Sequence, residues 1–412
     1  MKLVLLVFSF VLILSLAHAQ PRKIYLSPKA AAGANQSLFI DSIKFHPLEA
    51  TKGVSFGEYS YVIATDKYFI VTTSFDQTVV IYSQSGKFIK KINFKNLGEN
   101  VYPQYDKNKG QLTFFFPNKK YALTKKDEID IKTHFSDKGN GKYYKKYIID
   151  LKDSNFVIQK AAVTAFDILK AYNLKDDYYC TYEIDVNKNY KDTLDYEVKI
   201  YKGTKFIKGY FPYNKQNEIR YLYARYANAV TQETRDPNIF YITRPYVDTV
   251  YALSNGEIKP VYKVVLPMEN ALPKSFFETP FKNATERENF ERNNGWWLRA
   301  IYLPYETDRY MLFRISFLSN YGQYLYDKKT NASYNLFKVK PDSASYYLPL
   351  LNESTGGEEQ GKFYKLITSD QLKKVYELNK GKTDKLPKML QQSLQDTLAP
   401  KPLIVEYSIK NH

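Results

Sequence analysis

Cysteine is almost missing. Cys180 is the only one in 412 residues, so no internal disulfide forms and the fold must rest on its core. It lies in the strand-like run Tyr178-Tyr179-Cys180-Thr181-Tyr182, with no Cys/His arrangement to make it a nucleophile, and reads as a buried inert thiol. Histidine is scarce as well. Of four, His18 falls in the N-terminal apolar stretch and His412 is terminal, which leaves His46 and His134 without zinc-ligand spacing. Neither Gly-rich phosphate loop occurs, nor a Gly-x-Ser-x-Gly elbow. No Asp/Asn loop with Gly marks a calcium site, although carboxylates and carbonyls could still hold that ion. No cofactor and no metal are expected. Beyond residue 19 no apolar run is long enough to span a bilayer.

Acidic residues are also in short supply. Lys and Arg number 60 against 43 Asp and Glu, a formal charge of +17. A basic balance suits acidic partners, but Lys is scattered along the whole chain, as it is where it keeps a protein soluble and guards strand edges. Nucleic acid is therefore not the expected partner. Met1 to Ala19 reads as a cleavable signal: Lys2, the apolar stretch Leu3 to Leu16, and the small-x-small end Ala17-His18-Ala19. No cysteine follows for a lipid anchor. Secretion or a periplasmic address is expected.

What is abundant is aromatic and β-branched. Tyr alone counts 39 and aromatics make up 16%, which suits half-buried strand faces where a ring packs and its hydroxyl reaches water. The stretch Thr243 to Pro267 sets the pattern: a strand through Val247, Val250, Tyr251 and Leu253, the turn Ser254-Asn255-Gly256, and a second strand through Ile258, Val261, Val264 and Val265. The same phrase recurs as Thr78 to Tyr82, Ser85-Gly86 and Lys87 to Ile92, as Glu197 to Tyr201, Lys202-Gly203 and Lys205 to Lys208, and more weakly as Gln323 to Tyr326 and Ser333 to Phe337. Another strand pair precedes each copy. Four strands per unit is the content of one propeller blade.

Six units fit the chain. They run from Tyr59 to Leu97, Tyr105 to Gln159, Ala161 to Pro212, Ile219 to Pro267, Trp296 to Val339, and from Ser345 on. Residues 20–36 read as a flexible lead-in and 37–412 as one six-bladed, all-β propeller of four-stranded antiparallel blades. Phe276 to Asn294, Leu372 to Leu378 and Leu386 to Leu398 read as short helical insertions, and Lys125 to Lys142 as a charged loop. The closing segment Pro402 to Lys410 is a strand in need of a partner. It is expected in the same or a neighbouring blade as Phe39 to Pro47, the first strand.

Pro47-Leu48-Glu49, Tyr246 to Tyr251, Lys259-Pro260-Val261-Tyr262 and Pro402 to Tyr407 resemble the secreted six-bladed β-propeller proteins of Gram-negative bacteria, akin in architecture to NHL-repeat and TolB-like propellers. The resemblance spans Phe39 to Lys410. It implies six blades, secretion and a binding role, and it carries over no catalytic residues.

For a site, the cluster Glu218 to Tyr246 stands out. Arg is otherwise sparse, yet Arg220, Arg225, Arg235 and Arg244 fall among Tyr221, Tyr223, Tyr226, Tyr241 and Tyr246. Arg forks grip carboxylate or phosphate and stack on rings; the same residues could equally brace strands. Trp296-Trp297 could add a sugar-stacking surface, though one ring is expected in the core. Candidate ligand contacts are thus Arg220, Arg225, Arg244, Tyr223, Tyr246 and Trp296. The expected function is a monomeric binding module for an anionic glycan or an envelope protein. The alternative is a glycan hydrolase or lyase using carboxylates at the channel mouth, for which Asp176-Asp177 and Glu358-Glu359 are the adjacent pairs.

Overall fold

A computed structural model describes residues 20–411 except 58–59, 74–76, 96–102, 108, 125–126, 128–129, 132–134, 136, 138, 176, 183, 185–192, 217–230, 234–235, 237, 279–280, 352–357, 360, 380, 382–385 and 396–400. The signal-like stretch and Arg220, Tyr223, Arg225 and Arg235 lie outside the described residues.

Strands β1 (Arg22–Tyr25), β2 (Ala32–Asn35) and β3 (Ile40–Pro47) open the chain. The first blade is β4 (Tyr61–Ala64), β5 (Tyr68–Thr73), β6 (Thr78–Ser83) and β7 (Phe88–Asn93). The second is β8 (Gln104–Asp106), β9 (Gln111–Pro117), β10 (Tyr144–Asp150) and β11 (Ile158–Ala161). Helix α1 (Ala165–Ile168) leads to the third: β12 (Tyr172–Lys175), β13 (Tyr178–Tyr182), β14 (Leu194–Lys202) and β15 (Lys205–Asn214). The fourth is β16 (Thr231–Glu233), β17 (Ile239–Thr243), β18 (Thr249–Ser254) and β19 (Glu257–Val265). Helices α2 (Ser275–Glu278) and α3 (Ala284–Asn293) precede the fifth: β20 (Leu298–Glu306), β21 (Tyr310–Phe317), β22 (Tyr321–Asp327) and β23 (Ser333–Lys340). The sixth takes β24 (Glu358–Glu359), β25 (Lys362–Ile367) and, past α4 (Ser369–Leu378) and α5 (Lys388–Gln395), β26 (Leu403–Ile409).

Each blade pairs its strands in chain order, and the sixth runs β24-β25-β26-β3. The fold is an all-β, six-bladed β-propeller of four-stranded antiparallel blades with short helical insertions. The turns take the residues their geometry needs. In the β18–β19 turn Asn255 and Gly256 hold φ of 51° and 74°, which Asn and Gly tolerate. At Gly86 (φ +80°) a Cβ would sit 2.0 Å from Pro47 O, so only glycine fits under the end of β3.

The sixth blade joins both ends of the chain. β26 lies antiparallel to β3, with Leu403 opposite Pro47, Ile404 opposite His46 and Tyr407 opposite Ile43. The buried His46 turns both ring nitrogens to acceptors, Gln84 O at 2.8 Å and Glu406 Oε2 at 3.0 Å. Lys362 Nζ meets the other Glu406 oxygen at 2.7 Å. Burial pushes the Glu406 carboxyl up, but Lys362 and His46 outweigh it and hold it below the usual range.

The expectation of a flexible lead-in over residues 20–36 is corrected. β1 adds a parallel fifth strand to the fourth blade, with Arg22 opposite Tyr262 and Tyr25 opposite Val265. β2 adds a fifth strand to the fifth blade. Ile24 is fully buried, and Gln36 is buried with its side-chain oxygen accepting from Leu350 N at 2.7 Å. The segment is polar in composition, yet its alternate side chains find a core.

By contacts the chain divides into two compact units: Met1–Ala32 with Tyr172–Asn335, and Gly33–Ala171 with Leu336–His412. In the first unit, Ile24, Val250, Val264, Ile301, Met311 and Ile315 share a core, while Cys180, Val198, Ile200 and Ile242 share another. A polar knot ties the fourth blade to the fifth there. The Glu306 carboxylate accepts from the hydroxyls of Tyr241 and Tyr262, and from Lys328 Nζ at 2.6 Å. Burial raises the Glu306 carboxyl, but Lys328 and the two phenols win, so it lies below its ordinary value. A depressed folded value gives stability above the ordinary carboxylate range that is lost as pH falls through the folded value. Glu306→Gln is expected to melt lower at neutral pH and to lose part of the acid sensitivity of the wild type, read from melting temperatures between neutral pH and about pH 3. In the second unit Phe94 stacks on Phe114 at 4.5 Å within a core shared by the first two blades.

Candidate functional site

In the second unit a groove of ≈ 710 Å³ runs between α4 and the β25 strand. Helix α4 exists because Thr368 caps it: its hydroxyl accepts from Gln371 N at 3.3 Å and Gln371 Oε1 accepts from Thr368 N at 3.0 Å. This capping box satisfies two otherwise orphaned donors. Leu372 and Tyr376, one turn apart, are buried and seat the helix on the blade. Gln371, Lys374, Val375 and Leu378 follow helical i, i+3, i+4, i+7 spacing and line the groove. Asn379 continues that wall; its amide donates to Val375 O at 2.7 Å.

Phe56, Pro341, Tyr347 and Pro349 line the groove too, with Lys365 and Ile367 of β25. Lys365 Nζ donates to Pro349 O at 2.6 Å. Tyr346 and Tyr347 both hold left-handed backbone, φ 51° and 60°, a state that costs a bulky residue on the order of 1–3 kcal/mol each. Local contacts enforce it. Asp342 caps the preceding turn, Tyr347 N donates to Asp342 O at 2.8 Å, and the Tyr346 ring packs edge-on to Phe45 at 5.4 Å. Strain held in place beside a groove presents the Tyr347 side chain there. At the rim Leu378 is 76% exposed and Lys374 is exposed as well, and Asp370, four residues before Lys374, also lines the groove. The groove therefore combines ring faces, amide groups, the ammonium of Lys374 and the carboxylate of Asp370, with a volume typical of ligand clefts.

The sequence-derived contacts fall elsewhere. Arg244 follows β17 and is spent on Glu197, its Nε and Nη2 donating at 2.8 and 2.5 Å to the two carboxylate oxygens. Its guanidinium also lies 4.1 Å over Phe211. Tyr246 is 9% exposed and packs on Phe276 at 5.4 Å, within the cluster that seats α2 and α3. Burial, together with Glu291, pushes its phenol up. Arg244 thus joins the third and fourth blades, and Tyr246 packs under the helices before the fifth. Trp296 is 41% exposed, its ring 5.3 Å from Phe317, while Trp297 packs into the aromatic cluster. Cys180 is fully buried, and burial pushes its thiol up to about 12, unfit for a nucleophile. Sequence reasoning missed the groove. It read the α4 helix but not its second stripe, and the consecutive Tyr346-Tyr347 pair was the remaining signal.

Among the described residues no group of three or more His, Cys, Asp or Glu could hold a metal, and no helix is long and apolar enough to cross a membrane.

No family model matches this chain, and no curated protein matches its sequence. Solved structures do. A Bacteroides fragilis protein proposed to be exported superposes with a TM-score of 0.56 at 14% identity, covering 94% of this chain and 99% of its own. A DUF4221 family member from Bacteroides vulgatus gives 0.40 at 8% identity, over 90% and 98%. An oligogalacturonate lyase solved with manganese gives 0.33 at 8%, over 85% and 76%. At these identities the likeness is one of fold, and only the first overlap is strong enough to bear weight.

Proposed function

We propose that the chain is a secreted or periplasmic binding module that takes a glycan or other anionic ligand in the α4 groove. The observation that carries this reading is the groove itself: ≈ 710 Å³ bordered by Phe56, Tyr347, Gln371, Lys374 and Asn379. Ring faces stack on sugar faces, amides share hydrogen bonds with hydroxyls, and an exposed ammonium attracts a carboxylate or sulfate. The likeness to a protein proposed to be exported supports the address. The arginine cluster stays a competing location through Arg220, Arg225 and Tyr223.

A glycan array followed by titration of the best hit tests the proposal. Lys374→Ala and Tyr347→Ala are each expected to weaken binding about tenfold, the loss of one good contact. The double variant Arg220→Ala/Arg225→Ala is expected to bind as wild type. The opposite outcome, loss in the arginine variant with the groove variants unchanged, returns the site to the arginine cluster. Release of reducing or unsaturated sugar from the hit would replace binding with catalysis.

A further inference from the structure

We propose that the outer edge of the first two blades, β7 with β11, docks on an anionic lipid surface. Both are terminal strands of their sheets, whereas the corresponding edges of the fourth and fifth blades are covered by β1 and β2. On β7, Phe88 and Ile89 are 38% and 36% exposed; at β11, Val157 and Ile158 are 50% and 37% exposed. Lys90 Nζ donates to Asn155 O at 3.1 Å, which brings the β7 edge beside the turn entering β11.

Exposed lysines flank the apolar side chains. Lys90 and Lys160 are exposed, and Lys90 meets a backbone carbonyl rather than a carboxylate. On the β15 edge, where Phe206 and Ile207 are also exposed, Lys208 pairs with Glu257 at 2.9 Å while Lys205 stays exposed. Lysines alone would suffice to keep an open strand edge from aggregating. Four exposed apolar side chains beside them are not needed for that and work against it. The combination matches the two zones of a lipid interface: ammonium groups at the headgroup phosphates and short apolar side chains in the acyl boundary. An acidic peptide would satisfy the ammonium groups and leave the apolar ones wet. Strand addition by a peptide is also hindered, since Phe88 N already donates to Glu49 Oε2 at 2.9 Å.

The test is co-sedimentation of the full chain with phosphatidylcholine vesicles, with and without one third phosphatidylglycerol. Binding is expected only to the anionic vesicles and is expected to fall as salt screens it. Lys90→Gln/Lys160→Gln should lower partitioning by about 25-fold, roughly fivefold per lysine. Ile89→Ser/Val157→Ser should lower it as well, with melting temperatures near wild type. No binding at low salt, equal binding to both vesicles, or unchanged binding by a folded double variant would overturn the proposal. Capture of polyglutamate without vesicle binding would do so too, placing an acidic polypeptide on this face. If a variant fails to fold, the salt series on the wild type decides, and salt-insensitive binding counts against the lipid.

Discussion

Removing Pro402 onward is expected to abolish cooperative folding, not merely to lower the melting temperature. β26 is an interior strand of the sixth blade, bonded to β25 on one side and β3 on the other. Its loss leaves two ladders unmade. It also removes Leu403, Ile404, Val405, Tyr407 and Ile409, each at most 4% exposed. At about 1.5–3 kcal/mol per fully buried side chain, these alone amount to roughly 8–15 kcal/mol, as much as the whole stability of an ordinary domain. Near-ultraviolet circular dichroism and a denaturant titration of the truncated chain check this. A sharp transition near the wild-type midpoint would contradict the assignment of β26 as the strand that fastens the two ends of the chain.

The second large effect is expected at Glu197→Ala. Glu197 is 1% exposed and receives both Arg244 donors as well as the Tyr182 hydroxyl. Removing the carboxylate strands a mostly buried guanidinium, and breaking such a pair costs about 3–5 kcal/mol. Arg244→Ala is expected to cost a similar amount for the mirrored reason. The pair Glu197→Leu/Arg244→Met should recover much of the loss, because both charges then leave together. A double-mutant cycle of denaturant midpoints reads this directly. Should Arg244→Ala keep full stability and lose ligand binding, Arg244 belongs to a recognition surface and not to the frame.

How much of this was legible in advance follows from the range of the interactions. Local chemistry was readable. Asn255-Gly256 and Gly86 announced turns, β-branched and aromatic runs announced strands, and the late apolar strand Leu403–Ile409 demanded a partner that the structure supplies in β3. Long-range complementarity was not. β1 is four residues long and pairs in parallel with β19, far along the chain, so nothing near Arg22–Tyr25 reveals its partner. Arg244 looked available because its acid, Glu197, sits in another blade. The helical spacing of Leu372 to Leu378 was visible, but which of its faces the blade would cover was decided by tertiary packing around Leu372 and Tyr376. The groove face, Gln371 to Leu378, emerges only once that choice is made.

Hydrogen–deuterium exchange of the full chain, with and without the best glycan-array hit, tests the binding site most directly. Added protection is expected in Gln371 to Asn379 and around Tyr347 to Pro349, with residues 217–246 unchanged. Protection confined to residues 217–246, with the α4 segment exchanging as in the free protein, would contradict the assignment of the groove.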